Sequence, residues 1–256
     1  MGLRTIIDRS ARSDIPAHTA DHPAATLGTV VLLHGLGRTP ASMKVLETTL
    51  RADGYAIENW SYASRKERLP ALVDRIAARL EPLALSGRPL HLVGHSLGGL
   101  LLRGAAARLP GGSTPGRLVM IGSPNRGVRL LARLGAGWLS AIFGQPVRDL
   151  VWDSPALLAL GTPAWQVGII AGTRQFPPVS AAAVLNAILY RGVSGDGTVE
   201  VESARWAGMA DFVMVHVGHT TMCQNRDVVA HVRHFLGQGR FDTSPAESGV
   251  AIRQTA

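Results

Sequence analysis

The sequence predicts an α/β fold, a mainly parallel sheet covered by helices on both faces. Three observations carry this. Short aliphatic and β-branched runs, ending in or beside glycine, recur along the chain and read as strands buried on both sides. Segments with apolar residues at helical spacing fall between them, the alternation that parallel strands with crossover helices require. With 46% apolar and 17% charged residues over a length of 256, the chain can bury a sizeable core and lacks the make-up of a disordered one.

Residues 1–27 mix charge, proline and histidine without periodicity, and RTII within them is a candidate edge strand. The legible pattern starts at GTVVLLHG (28–35), followed by strand candidates YAIENW (55–60) and PLHLVG (89–94). Between the last two, Leu69, Leu72, Val73, Ile76, Leu80 and Leu83 recur at helical spacing, with Pro70 near the start and Gly87 after the end. A helix from Leu97 to about Leu109 follows, then strands RLVMIG (117–122), QVGIIAG (166–172) and DFVMVHV (211–217). In the closing helix, NRDVVAHVRHFLG, Asn225 is the predicted N-cap, Val228, Val229, Val232, Phe235 and Leu236 share one face, and Gly237 is the predicted stop. One domain over 28–237 is expected, with a poorly ordered polar tail over 238–256.

The formal charge of +8 raises nucleic acid as a partner. Only Lys44 and Lys66 are lysines, the other basic residues are arginines, and no run of them interleaves with aromatics as a single-strand groove requires, so no nucleic-acid partner is expected. Between Leu97 and Arg148 stand seven arginines and no Asp or Glu. Such a field would attract an anionic lipid surface or an acidic substrate; a solvated basic face is the alternative. Cys223 is the only cysteine, which rules out an intrachain disulfide. No apolar run reaches the roughly 18 residues of a membrane span, and MGLRTIIDRSARSDIPAHTA lacks a signal-peptide core. A cytoplasmic protein without stable membrane insertion is expected, a secreted mature form shorn of its signal being the alternative.

The stretch GHSLG (94–98) places Ser96 where an apolar strand ends and a helix begins. A serine there, flanked two residues away by glycines that remove colliding Cβ atoms, is held in a strained turn with its hydroxyl aimed out of the sheet. The bland reading is an N-cap serine in a glycine-rich turn. The helix that follows directs the Leu97 amide at any developing oxyanion, and HGLG (34–37), after the first strand, offers the Leu36 amide as a second donor. A serine hydroxyl needs a base. Among nine histidines, His219 follows a strand and precedes the last helix, at the sheet edge where such groups gather. Asp196, in SGDGTV, precedes it in the order serine, acid, histidine; Asp211, Glu200, Glu202 and Asp227 are rivals, and a turn aspartate is the bland reading. His219, Cys223, His231 and His234 form a loose cluster whose spacing fits no standard zinc site, so neither a metal nor another cofactor is expected.

Taken together, VVLLHGLG, HLVGHSLGG, GSPNRG, SGDGTVEVESA and GHTTM resemble bacterial lipases and esterases of the α/β-hydrolase superfamily, along residues 28–237. The resemblance implies a Ser96, Asp196, His219 triad, an oxyanion hole from the Leu36 and Leu97 amides, and carboxylic ester hydrolysis, with a small-molecule or lipid ester as substrate. It leaves open acyltransferases, thioesterases, amidases and members that bind without catalysis. Residues 125–165 are long for a connection and read as an inserted helical lid or cap. On a helical wheel Leu131, Leu134, Trp138 and Ile142 share one face and Arg126, Arg129 and Arg133 the other, an amphipathic helix weakened by Gly135 and Gly137. Permanent packing of that apolar stripe over the domain is the alternative to a mobile lid.

Overall fold

The computed structural model describes residues 27–175 and 193–242. The RTII segment and the tail beyond 242 lie outside them. A six-stranded, all-parallel sheet forms from β1 (Thr29–Leu33), β2 (Ala56–Trp60), β3 (Leu90–His95), β4 (Pro115–Ile121), β5 (Gln166–Gly172) and β6 (Asp211–Val215), in the order β2-β1-β3-β4-β5-β6. Every strand read from the sequence within the described residues is present, and β6 ends at Val215, which leaves His216 outside it.

The continuous apolar character of these strands has a direct cause, because successive side chains enter different cores. Val30, Leu32, Val93, Val119, Ile121 and Ile170 face one layer of helices, α1 (Lys44–Ala52) and α8 (Arg226–Gln238). Val31, Leu33, Leu92, Leu118, Met120 and Ile169 face the other, α2 (Leu69–Ala84) and α3 (Leu97–Ala106). From β1 the chain steps outward to β2, then returns across β1 to β3 and runs on through β4, β5 and β6. The loops after β1 and β3 therefore diverge to opposite faces, and the crevice between their carboxyl ends is the topological switch point where open α/β sheets place ligands.

Two helical details differ from the sequence expectation. Helix α1 carries only Leu46 and Leu50 as buried residues, preceded by buried Met43, too sparse a stripe to be read as a helix. Helix α8 is capped as expected by Asn225, whose Oδ1 accepts from the Asp227 and Val228 amides (3.0 and 3.1 Å), but it runs through Gly237 to Gln238. The left-handed cap falls on Gly239 (φ 73°), after which Phe241 turns back into the core and its amide donates to Asp211 Oδ2 (2.8 Å). A glycine inside a helix costs about 1 kcal/mol, whereas the left-handed closing residue favours glycine strongly, so Gly239 sets the stop.

His91, buried in β3 beside the register shift between Leu90 and Leu92, gives a stability prediction. The Arg117 amide donates to its Nδ1 (3.2 Å), which requires the neutral ring. Burial, reinforced by the Arg117 charge, lowers its pKa to about 4 from 6.5. The unfolded chain takes up this proton first, so the contribution of His91 is full above pH 6.5 and is lost as pH falls toward about 4. That interval is worth about 3 kcal/mol. Urea unfolding of His91→Gln should show a loss of stability between pH 7 and pH 4 smaller than the wild-type loss by about that amount; equal losses would contradict it.

The segment over 125–165, between β4 and β5, holds three short α-helices, α4 (Arg129–Leu134), α5 (Ala136–Phe143) and α6 (Pro155–Leu158). The single amphipathic helix expected here is instead two, broken at Gly135, whose φ of 84° no continuing helix accepts. Leu131 packs on the core, while Leu134, Trp138, Ile142 and Phe143 stand exposed. The base of the insertion is tied down. The buried Asp149 carboxylate accepts from the Arg68 guanidinium and from the Leu69 amide at the start of α2 (2.8 Å), and the Gln145 amide donates to the Arg65 carbonyl (2.9 Å).

Acids from other segments fold back onto three arginines of the acid-free stretch. Arg108 meets Asp74 (3.2 Å), Arg126 meets Asp153 (2.6 Å) and Glu202 (3.0 Å), and Arg129 meets Glu200 (3.0 Å) and Glu202 (2.7 Å). Helix α7 (Val201–Ala204) carries Glu202 at the centre of this network. No helix among the described residues is long and apolar enough to cross a membrane.

Candidate active site

Ser96 joins β3 to α3 with φ 53° and ψ −121°, a left-handed conformation that costs a non-glycine residue on the order of 1–3 kcal/mol. The tightness of the turn shows in its glycines. A Cβ on Gly94 would lie 2.4 Å from the Gly99 nitrogen, and one on Gly98 would lie 2.2 Å from the Leu33 carbonyl oxygen. Both contacts are with backbone, which cannot rotate away. The first turn of α3 is thus pressed against the end of β1.

The turn after β1 lies directly on the serine: a Cβ on Gly35 would be 3.1 Å from the Ser96 Cβ. Three contacts shape that turn. His34 stacks on Tyr62 (centroids 4.5 Å apart), the Tyr62 hydroxyl donates to the His34 carbonyl (2.8 Å), and the His34 Nδ1–H donates to the Gly35 carbonyl (2.9 Å). The Gly37 amide donates to Ser64 Oγ (3.0 Å) and the Arg38 amide to the Gly35 carbonyl (3.2 Å). These partners occupy the amides on the far side of Leu36. The Leu97 amide, first in α3, has no carbonyl one turn earlier in the helix to bond. The turns that carry the Leu36 and Leu97 amides, read from the sequence as oxyanion donors, thus pack against each other.

His219 follows β6 in a 3-10 turn (His219–Gln224), and Asp196 lies in the loop that returns toward α7. The Ser96 hydroxyl donates to His219 Nε2 (3.0 Å), and His219 Nδ1–H donates to Asp196 Oδ2 (2.7 Å). The carboxylate is acceptor-only, so it fixes the proton on Nδ1 and leaves Nε2 free to accept. Asp196 is buried, and its Oδ1 accepts from the Thr198 and Val199 amides (2.9 and 2.7 Å), which holds the carboxylate edge toward the imidazole. The His219 amide in turn donates to the Asp196 carbonyl (3.0 Å), tying the two loops together.

His95, next to the serine, donates from Nε2 to the His219 carbonyl (3.1 Å), with the two rings 4.8 Å apart. Burial, then the neighbouring His219, holds the His95 pKa well below the usual histidine value, so it stays neutral and does not oppose a positive charge forming on His219.

Asp227 stands in the first turn of α8, and the other rival acids are placed or paired elsewhere. Asp211 opens β6 at the opposite, amino edge of the sheet, while Glu200 and Glu202 pair with Arg129. His216 contacts Thr173 (3.3 Å), His231 lies edge-on to Phe241 and His234 donates to the Arg240 carbonyl (2.8 Å). Cys223 is buried, which pushes its thiol up to about 12, and among the described residues no group of three or more His, Cys, Asp or Glu side chains comes together to hold a metal.

Sequence reasoning missed Gly122, at the end of β4. With φ 56°, it sits where a Cβ would come within 2.8 Å of Met222 Sδ, 3.2 Å of Asp196 Oδ2 and 3.3 Å of His219 Nδ1. The glycine leaves room for the acid and the imidazole to meet. A glycine closing an apolar strand was visible in VMIG; what it clears was not.

A family model described as thioesterase domain matches residues 28–136. No curated protein matches the sequence significantly. Among solved structures, the mature form of a Bacillus licheniformis lipase superposes with TM-score 0.64 at 20% identity, covering 85% of this chain and 94% of that one. A metagenomic carboxyl esterase superposes with TM-score 0.57 at 17% identity, covering 83% and 71%. A phospholipase from Legionella pneumophila superposes with TM-score 0.54 at 16% identity, covering 69% and 45%. At these identities the likeness is one of fold. The chain has the α/β-hydrolase fold, which these structures share.

Proposed function

We propose that residues 28–237 form one serine hydrolase domain that cleaves carboxylic esters through an acyl-enzyme. The observation that carries this reading is the relay from Asp196 through His219 to Ser96, with links of 2.7 and 3.0 Å, at the sheet's switch point. Ser96 Oγ attacks the ester carbonyl carbon while His219 Nε2 takes its proton. Asp196 stabilises the imidazolium, and the Leu36 and Leu97 amides hold the oxyanion. The bond to the alcohol oxygen breaks as His219 returns the proton to it. Water then repeats the sequence on the acyl-enzyme and releases the acid. The chemistry draws on side chains and backbone amides throughout.

The exposed Leu134, Trp138, Ile142 and Phe143 on α4 and α5 suit contact with an apolar acyl chain or a lipid surface. In this reading the pair of helices acts as the lid, while the latch at Asp149 keeps its base fixed. The structural likeness to a lipase and a phospholipase supports a lipid ester as the substrate class. The family description of the 28–136 match favours a second reading, in which the same acyl-enzyme forms from a thioester.

A fluorophosphonate probe tests the proposal. Mass mapping should find the label on Ser96, and the labelled protein should lose cleavage of an ester panel of increasing acyl length. If the probe left Ser96 unmodified and no ester or thioester in a matched panel were cleaved, the proposal would fail. The ratio of kcat/KM for matched esters and thioesters decides between the two readings.

A further inference from the structure

Helix α3 carries a second chemical feature two turns beyond Ser96, about 10 Å along the helix axis. Arg103 is buried, at 3% exposure, in a helix whose every residue is buried. Its guanidinium donates from Nη1 to Asn125 Oδ1 (2.5 Å) and from Nη2 to the Leu157 carbonyl (3.0 Å), and it lies 4.9 Å over the Trp206 ring. Neither acceptor carries a formal charge. Among the described residues the Nε–H has no acceptor, and no carboxylate comes within ion-pair distance of the group. Burial lowers its pKa to about 10, so it remains a cation at neutral pH. A buried charge that lacks an opposite charge is costly, and nearly always meets one somewhere.

Arg103 forms part of the wall of an open cavity of about 720 Å³, a size typical of ligand sites. Asn125, Leu157, Leu158, Trp206 and Met209 line it as well, and none of Ser96, Asp196 and His219 does. The other charged residues of the lining, Arg126 and Arg205 against Asp153 and Glu202, balance in sign, with Arg126 held by both acids and Arg205 stacked on the Phe212 ring (4.0 Å). Arg103 therefore supplies the positive charge in its depth. At the rim Leu158 is 72% exposed, more than any other large apolar side chain among the described residues. The cavity thus joins a buried cation to an apolar wall that reaches solvent, which is the complement of an amphiphilic anion.

We propose that this cavity binds an alkyl carboxylate, with its carboxylate on the Arg103 guanidinium, and its chain laid along Trp206, Met209 and Leu158. The planar guanidinium matches a carboxylate in shape and charge, and the chain covers the exposed leucine. The site is independent of the hydrolase reading, and its occupancy is measured by binding alone.

Isothermal titration of the full chain with octanoate, with octanol as the neutral control, tests it. Wild type should bind octanoate, and octanol at the same concentrations should give no saturable heat. Arg103→Met, which removes the charge and keeps an apolar stem, should weaken octanoate by at least about tenfold. Leu158→Glu should do the same by repulsion at the rim; because Leu158 is exposed, this variant stays folded and decides the matter if Arg103→Met does not fold. Failure of wild type to bind, octanol binding as tightly as octanoate, or octanoate affinity unchanged in Leu158→Glu would each overturn the proposal.

Discussion

If the proposed relay operates, Ser96→Ala should lower turnover of a cleaved ester by about 10⁶-fold, and Asp196→Asn alone by about 10⁴-fold. The combined variant is no slower than Ser96→Ala by itself. The first effect follows from removing the attacking oxygen, which leaves only the oxyanion donors and substrate binding to act on water. The second has a subtler cause. In Asp196→Asn the side-chain oxygen can still accept from the Thr198 and Val199 amides, where Oδ1 accepts now (2.9 and 2.7 Å). The amide NH₂ must then face His219 Nδ1, where Oδ2 now accepts (2.7 Å). A donor at that place draws the lone pair of Nδ1 toward it and puts the ring proton on Nε2, which then cannot accept from Ser96. The non-additivity arises because the acid and the imidazole act only through the serine. Single-turnover kinetics on the three variants check this. An Asp196→Asn rate within tenfold of wild type would remove Asp196 from the relay, and a double variant far slower than Ser96→Ala would show that the residues act separately.

The parts of the fold that were legible in the sequence are those written locally. A strand buried on both faces is apolar at nearly every position, so TVVLL, LHLV and GIIA are legible, and the alternation of faces places their apolar side chains in two cores. Helix α8 was legible for the same reason, through Asn225 at one end and a regular apolar stripe between. Its last turn was not, because Gly237 and Gly239 look equivalent in a pattern and only the backbone distinguishes the one that is left-handed. Gly135 defeated the helical wheel in the same way, since a wheel assumes a continuous axis and cannot register a φ of 84°.

In the candidate site, the turn around Ser96 was legible because its constraint is local: glycines two residues to either side, a strand before and a helix after. The meeting of Asp196 with His219 depends on β5, β6 and two loops, and pattern could offer only chain order. Gly122 and Tyr62 act entirely through space, one by making room and the other by pinning the turn after β1, so no local signal marks them. The partners of the arginine stretch were hidden for a related reason. Its counter-charges, Asp74, Asp153, Glu200 and Glu202, lie outside it or in segments that fold back against it. Arg103 is the arginine of that stretch that folding buries among neutral acceptors.

Gly98→Ala and Gly237→Ala make the same chemical change with opposite expected signs. Each adds one methyl group to a helix, where alanine is favoured over glycine by about 1 kcal/mol. At Gly237, on the exposed side of α8, nothing lies within 4 Å of the added Cβ, so the full gain is realised and the urea midpoint rises. At Gly98 the Cβ would stand 2.2 Å from the Leu33 carbonyl oxygen and 2.6 Å from that of His34. Neither can yield: Leu33 is held in register with Trp60 on one side and Gly94 on the other, and the His34 carbonyl is fixed by the Tyr62 hydroxyl. The first turn of α3 must therefore move off β1, which carries Ser96 and the Leu97 amide away from Leu36. Overpacking of this kind costs about 3 kcal/mol, and a displacement near 1 Å at a reacting group costs about 10²-fold in rate. Gly98→Ala should thus lower both the urea midpoint and the rate of labelling of Ser96 by a fluorophosphonate, while Gly237→Ala raises the first and leaves the second unchanged. A Gly98→Ala protein as stable and as readily labelled as wild type would mean that the contact between α3 and β1 does not set the position of the serine.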